Sequence, residues 1–193
     1  RMAALVTDMN QPLGHAVGNS LEVHEAIETL GGAGPDDVTA ITFELGARML
    51  TLSGLAESDQ SARKKLQKAI DTGNALETFA RMIEHHGGSP RIVDSPDRLP
   101  RTKRTVPYPS PASGHVTAVQ AHCIGKACLV LGGGRRRVED TVDPAVGITN
   151  LAKVGQPVEA GAPLAILHVR DEKTERAAFA ELSTEEGEED AAG

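Results

Sequence analysis

Glu22, Glu25 and Glu28 recur at every third residue directly after a loop, "NQPLGHAVGN", that is bent by Pro12, Gly14 and Gly18. At helical spacing they fall within about 120° of arc, and like charges so placed cost roughly a few tenths of a kcal/mol per pair. Two chemistries suit the pattern: a solvated acidic face, or a cation held by one of the three. Periodicity alone does not choose among them. A glycine-bearing loop between a strand and a helix is also the usual setting of a phosphate cradle. Here the spacing is wrong, because Gly14-x-x-x-Gly18 followed by Asn19 fits neither the dinucleotide fingerprint nor the lysine-bearing P-loop.

Other groups able to do chemistry have simpler readings. Cys123 and Cys128 stand five positions apart in "HCIGKACLVLGGG", which reads as strand-like. A zinc site needs two further ligands; His115 and His122 are near, but His122 would alternate with Cys123 across a strand, so buried or half-buried thiols are expected. His85 and His86 fall at the carboxyl end of a predicted helix, where a histidinium is favoured by the dipole, and read as capping. "LGGGRRR", Leu131 to Arg137, either brings three guanidinium groups to an anion or forms an exposed arginine turn.

These residues need elements to hold them. "AALVT", residues 3 to 7, has the continuous apolar, β-branched character of a buried strand and predicts a parallel neighbour, as in the latter part of a larger domain. Four helices follow. The first is predicted to be capped by Asn19, to bury Val23, Ala26, Ile27 and Leu30, and to end at Gly31. The second has Pro35 in its first turn, Asp36 and Asp37 near its positive end, and Val38, Ile41, Leu45 and Met49 as core. The third runs from about Ser58 to Thr72, with Leu66, Ala69 and Ile70 inward; the fourth opens at Asn74 and buries Leu76, Phe79, Met82 and Ile83. The six prolines of "SPRIVDSPDRLPRTKRTVPYPSPASG" predict an extended connector. Beyond it "SGHVTAVQA", "KACLVLGGG" and "APLAILHV" read as short strands of a β-rich domain from about 105 to 170.

Composition narrows the function classes. The chain has 193 residues and a net charge of −7, but six of those charges lie on Glu181, Glu185, Glu186, Glu188, Glu189 and Asp190, leaving about −1 for the rest. That end reads as a disordered acidic tail, 183–193. Four aromatic side chains, Phe43, Phe79, Tyr108 and Phe179, give no platform for stacking nucleic-acid bases. No stretch approaches a membrane span, "RMAALVTDMN" is too short an apolar run for a signal peptide, and a reducing cytoplasm is the expected location.

"LVTDMNQPLGHAVGNSLEVHEAIETL", "GAGPDD", "SGHVTAVQAHCIGKACLVLGGGR", "VDPAVGI" and "VGQPVEAGAPLAIL" together closely resemble the pyrimidine nucleoside phosphorylases, thymidine phosphorylase included. The resemblance covers nearly the whole chain to about Leu182. It implies an α/β fold in three parts: residues 1–104, a partial α/β domain of strand, cation loop and helices with its proline-rich connector; 105–182, a small β-rich carboxyl-terminal domain of barrel-sandwich type; and the acidic tail. It implies a bilobed, homodimeric enzyme that closes on a pyrimidine nucleoside and inorganic phosphate and releases free base and a pentose 1-phosphate. It also implies a potassium-like monovalent cation held by the carbonyls of Leu13 and Ala16 and the carboxylate of Glu25. A hard cation takes oxygen ligands, and a loop bent by proline and glycine can turn carbonyls inward.

The departure from the family pattern is as informative. The family's phosphate loop, its base-gripping arginine, serine and lysine, its other cation ligands and most of the dimerising helical lobe precede the matching region, so this chain alone is expected to be inactive. A second class of function is a carrier module, because biotinyl and lipoyl domains share a turn like "GQPVEAGAPLAI". Such a carrier needs a lysine at a hairpin tip, and Lys126 sits in "CIGKACL", the wrong context. The likeness is therefore expected to be one of scaffold.

Overall fold

The computed structural model describes residues 2–183; Arg1 and residues 184–193, which hold most of the acidic tail, lie outside the described residues. Helix and sheet are mixed, and the contacts divide the chain into two units: Arg1–Asp8 with Glu22–Leu99, and Met9–Leu21 with Pro100–Gly193.

The first unit is helical among its described residues. Helix α1 (Asn19–Leu30) enters it from the loop, followed by α2 (Asp36–Leu52), α3 (Asp59–Asp71), α4 (Asn74–His85), one turn, α5 (Arg91–Asp94), and a 3-10 turn over Pro96–Arg98. The side chain of Ser58 accepts from the amide of Ser61 at the start of α3, and Ser61 answers the Ser58 amide, so two otherwise unpaired donors are satisfied. Helices α2 and α3 meet through small residues: Ala47 and Ala62 are enclosed, and a Cβ at Gly46 would come within 2.9 Å of Leu66. Arg48 pairs with Glu44 within α2 (3.0 Å) and across the seam with Asp59 (2.7 Å), and Arg63 of α3 also pairs with Glu44.

Three expectations fail here. Residues 3–7 form no strand and are mostly exposed, because among the described residues no strand pairs with them. Leu45 and Met49 are exposed rather than core, and α4 buries none of its side chains completely: Leu76, Phe79 and Ile83 are half-buried and Met82 is exposed. Asn19 is the first helical residue rather than a cap, and its side-chain Nδ2 donates to the Gly133 carbonyl at 2.9 Å.

The second unit holds the larger core. Strand β5 (Pro163–Val169) runs between β1 (Arg104–Pro109) and β3 (Gly147–Thr149), antiparallel to both; β2 (Gly114–His115) pairs with β4 (Pro157–Val158). The proline-rich connector therefore contains a short helix and an edge strand, and Pro107, with no N–H to give, is tolerated there. Alternate residues Ala165, Leu167 and Val169 of β5 face inward against α6 (Ala121–Leu131) and α7 (Glu172–Leu182).

Helix α6 overturns the strand expected at Cys123 and Cys128. Ile124, Ala127, Cys128 and Leu131 are buried at helical spacing, and Gly132 closes the helix at a φ of 101°, a conformation that costs glycine little. His122 and Cys123 are accordingly helix neighbours. Helix α7 was not expected from the sequence; Asp171 caps it by accepting from the Thr174 amide at 2.8 Å.

Candidate functional site: the Met9–Leu21 loop

The loop belongs to the second unit, and backbone contacts hold it there. Val17 and Ile148 exchange both bonds of an antiparallel bridge, Val17 N to Ile148 O at 2.9 Å and Ile148 N to Val17 O at 2.8 Å. The Leu151 amide donates to His15 O at 3.2 Å, and His15 Nδ1 donates to Leu151 O at 2.8 Å. The Lys153 ammonium donates to Pro12 O at 2.5 Å, and the Ser20 amide to Pro144 O at 3.0 Å.

Two glycines make this docking possible. A Cβ on Gly18 would stand 2.7 Å from Val146 O, and one on Gly147 would stand 2.3 Å from Val17 O; both residues have positive φ, 135° and 149°. Gly18 is thus explained by a backbone crossing, a close approach that no larger residue allows.

Of the residues expected to hold a cation, Leu13 is 54% exposed and Ala16 is buried at 7%. The carbonyls of Asn10, Pro12, His15 and Val17 accept hydrogen bonds, whereas those of Leu13 and Ala16 accept none among the described residues. Glu25 lies on α1 in the first unit and is half-buried, while Glu22 and Glu28 are exposed and Glu28 lies 3.6 Å from His24. Burial therefore separates Glu25 from its two neighbours, which spacing alone could not do.

The remaining candidates are also placed. Cys128 is buried, with its thiol toward Val17 O at 3.9 Å; Cys123 is half-buried and its thiol donates to Gln120 Oε1 at 3.1 Å; both are free cysteines. Among the described residues no three His, Cys, Asp or Glu side chains gather to hold a metal. His86 Nδ1 donates to Met82 O at 2.8 Å, which caps α4. The amides of Arg136 and Arg137 donate to Asp140 Oδ2, and the three guanidinium groups of 135–137 make no ion pair among the described residues. Lys126 lies within α6 rather than at a hairpin tip.

Sequence reasoning passed over three charged or titratable groups of the second unit. Arg170 grips Asp143 through two bonds of 2.6 and 2.9 Å, and the guanidinium holds the Asp143 carboxyl below its usual range. His168 Nε2 meets Thr149 Oγ1 at 2.8 Å between β5 and β3; burial, and then the charge of Arg101, lower its pKa from the ordinary histidine value. A cavity of about 810 Å³, lined by Tyr108, Val119, Cys123, Phe179 and Leu182 among others, has a mostly apolar lining with no charged residue. Among the described residues no helix is long and apolar enough to cross a membrane.

Comparison with known proteins supplies the wider frame. Residues 1–76 match the "Glycosyl transferase family, a/b domain" model, and residues 115–186 match the "Pyrimidine nucleoside phosphorylase C-terminal domain" model. Over 165 residues, 86% of this chain, it is 45% identical to the pyrimidine-nucleoside phosphorylase of Staphylococcus aureus strain bovine RF122 / ET3-1. It is 44% identical over the same length to that of strain USA300. The chain spans 38% of the length of each of these relatives.

Proposed function

Because the chain belongs to the pyrimidine nucleoside phosphorylase family, we propose that it supplies the carboxyl-terminal portion of an enzyme that cleaves a pyrimidine nucleoside with inorganic phosphate. In that reaction a phosphate oxygen attacks the anomeric carbon, the bond from that carbon to the base nitrogen breaks, and the base departs with its electron pair and takes up a proton. The observation that carries this reading is the 45% identity over 165 residues, which extends through both units of the chain.

In this reading the present chain contributes the scaffold and part of a cation site. The carbonyls of Leu13 and Ala16 and the carboxylate of Glu25 are the ligands it offers to a potassium-like ion, supported by the unpaired state of the two carbonyls and the partial burial of Glu25. When bound, the ion supplies positive charge that fixes the loop. The carboxyl-terminal unit is a barrel-sandwich scaffold without a prosthetic group, and the complete enzyme is a cytoplasmic homodimer, a compartment that suits two free thiols.

The test is phosphorolysis of thymidine and uridine by two samples: the purified chain, and the chain fused behind the portion of the Staphylococcus aureus relative that it does not span. We expect turnover only in the second. Turnover by the chain alone that disappears when one of its own residues is changed overturns the assignment of the chemistry to the other portion. A soluble, folded fusion that turns over neither nucleoside overturns the reaction itself.

A further inference from the structure

The carbonyls of the Met9–Leu21 loop fall into two sets, and the carboxyl-terminal unit does the sorting. Asn10 O accepts from the Ala121 amide at 3.4 Å, and Pro12, His15 and Val17 are taken by Lys153, Leu151 and Ile148. Three of those four partners lie in one stretch, Ile148 to Lys153, with the crossing glycine Gly147 immediately before it. Leu13 and Ala16, which alternate with the engaged residues, keep their carbonyls unpaired among the described residues.

We propose that Gly147–Lys153, with His15 as its counterpart in the loop, is a positioning element that presents the Leu13 and Ala16 carbonyls to the cation and so sets cation affinity. The proposal rests on the cation reading given above. Its physical basis is preorganisation. A free loop would have to be ordered when the ion binds, and that entropy is charged against affinity; a loop already bridged at Val17 and held at His15 has lost it on folding. No charge need come from the positioning residues themselves. They act through the backbone of the loop.

His15→Phe keeps an aromatic ring but removes the bond to Leu151 O, and Gly147→Ala drives a Cβ into Val17 O. Amide hydrogen exchange on the full chain reads the clamp directly. In His15→Phe the Val17 and Leu151 amides should exchange about 10-fold faster or more, while α2 and α3 are unchanged. The potassium dependence of the fusion enzyme reads the consequence: the half-activating concentration should rise about 5-fold or more, with the rate at saturating potassium nearly unchanged. Loss of fold alone would lower that plateau without moving the midpoint. Should Gly147→Ala fail to fold, His15→Phe still decides. Unchanged loop exchange, or faster exchange with an unmoved potassium midpoint, overturns the positioning role alone. Turnover independent of potassium in the unaltered enzyme overturns the cation reading, and this proposal with it.

Discussion

In the carboxyl-terminal unit Val146, Ile148, Leu167 and Val169 are fully buried, whereas the enclosed cluster between the helices of the other unit is built of Ala47, Ala56 and Ala62 with Leu50 beside it. An aliphatic side chain of that size contributes about 1.5–3 kcal/mol when taken out of water, and an alanine far less. The two regions of one chain thus differ in what folding gains. The first has hydrogen-bonded helices, a capping box and ion pairs over little apolar burial; the second has a sheet sealed by two helices. Secondary structure alone therefore does not report stability. Leu167→Ala gives the largest expected effect. It should cost the second unit about 2–5 kcal/mol, because β5 is the middle strand and the void cannot be filled from either side. Tyr108, the single tyrosine, stacks edge-on against Phe179 in this unit, so its fluorescence follows the loss in urea. Circular dichroism, dominated by helix, should show the first unit melting separately and earlier. A single coincident transition by both probes would remove the distinction.

The next effect belongs to the helical unit. With little apolar burial to rely on, its helix ends matter more, and Ser58→Ala removes the acceptor for the Ser61 amide. The expected loss is about 1 kcal/mol, read as a shift of the earlier transition with the tyrosine signal unmoved. Ser58→Asp, which restores an acceptor, should recover most of it.

What was legible in the sequence follows the same division. Helices α2, α3 and α4 are legible because Pro35, Asp36, Asp37 and the terminal glycines are local signals. Which of their faces would be covered was not readable, since that depends on partners elsewhere: Leu45 and Met49 have the right spacing and are nevertheless exposed. Helix α6 resembles a strand locally because Cys123, Cys128 and Val130 are residue types common in strands and a glycine run follows. The spacing of Ile124, Ala127, Cys128 and Leu131 and the glycine after the last turn already favoured a helix. In the candidate site, the loop and its three acidic residues were visible. The role of Gly18 was not, because the backbone it crosses, Gly147, is more than a hundred residues away.

A smaller, graded effect separates the units by pH. His168 has a lowered folded-state pKa because burial, and secondarily Arg101, disfavour its charged form. Unfolded, it binds a proton near the ordinary value of about 6.5, so below that pH the unfolded state carries more protons than the folded one. Its contribution is therefore fully present above about pH 6.5 and is lost as pH falls toward the lower folded pKa. The tyrosine-monitored midpoint should drop over that range, and His168→Gln, which can still meet Thr149 Oγ1, should flatten the slope. A slope unchanged by that substitution would assign the dependence to another group.

The smallest expected effect is the sharpest check on the exposed helix face. Leu45, Met49 and Leu52 lie along one side of α2, and Met49 is 70% exposed. A large-to-charged substitution in a covered core leaves an unpaired buried charge and costs several kcal/mol, whereas at an exposed site it changes stability by about 0.5 kcal/mol or less. Met49→Lys and Leu45→Lys in the chain should therefore leave the circular dichroism transition almost in place. In the fusion enzyme the same two changes provide a contrast: a loss of more than about 2 kcal/mol there, with none in the chain, would mean that added sequence covers this face. A comparable loss already in the chain would mean that the face is buried in solution and that the helical unit holds a larger core than its alanines provide.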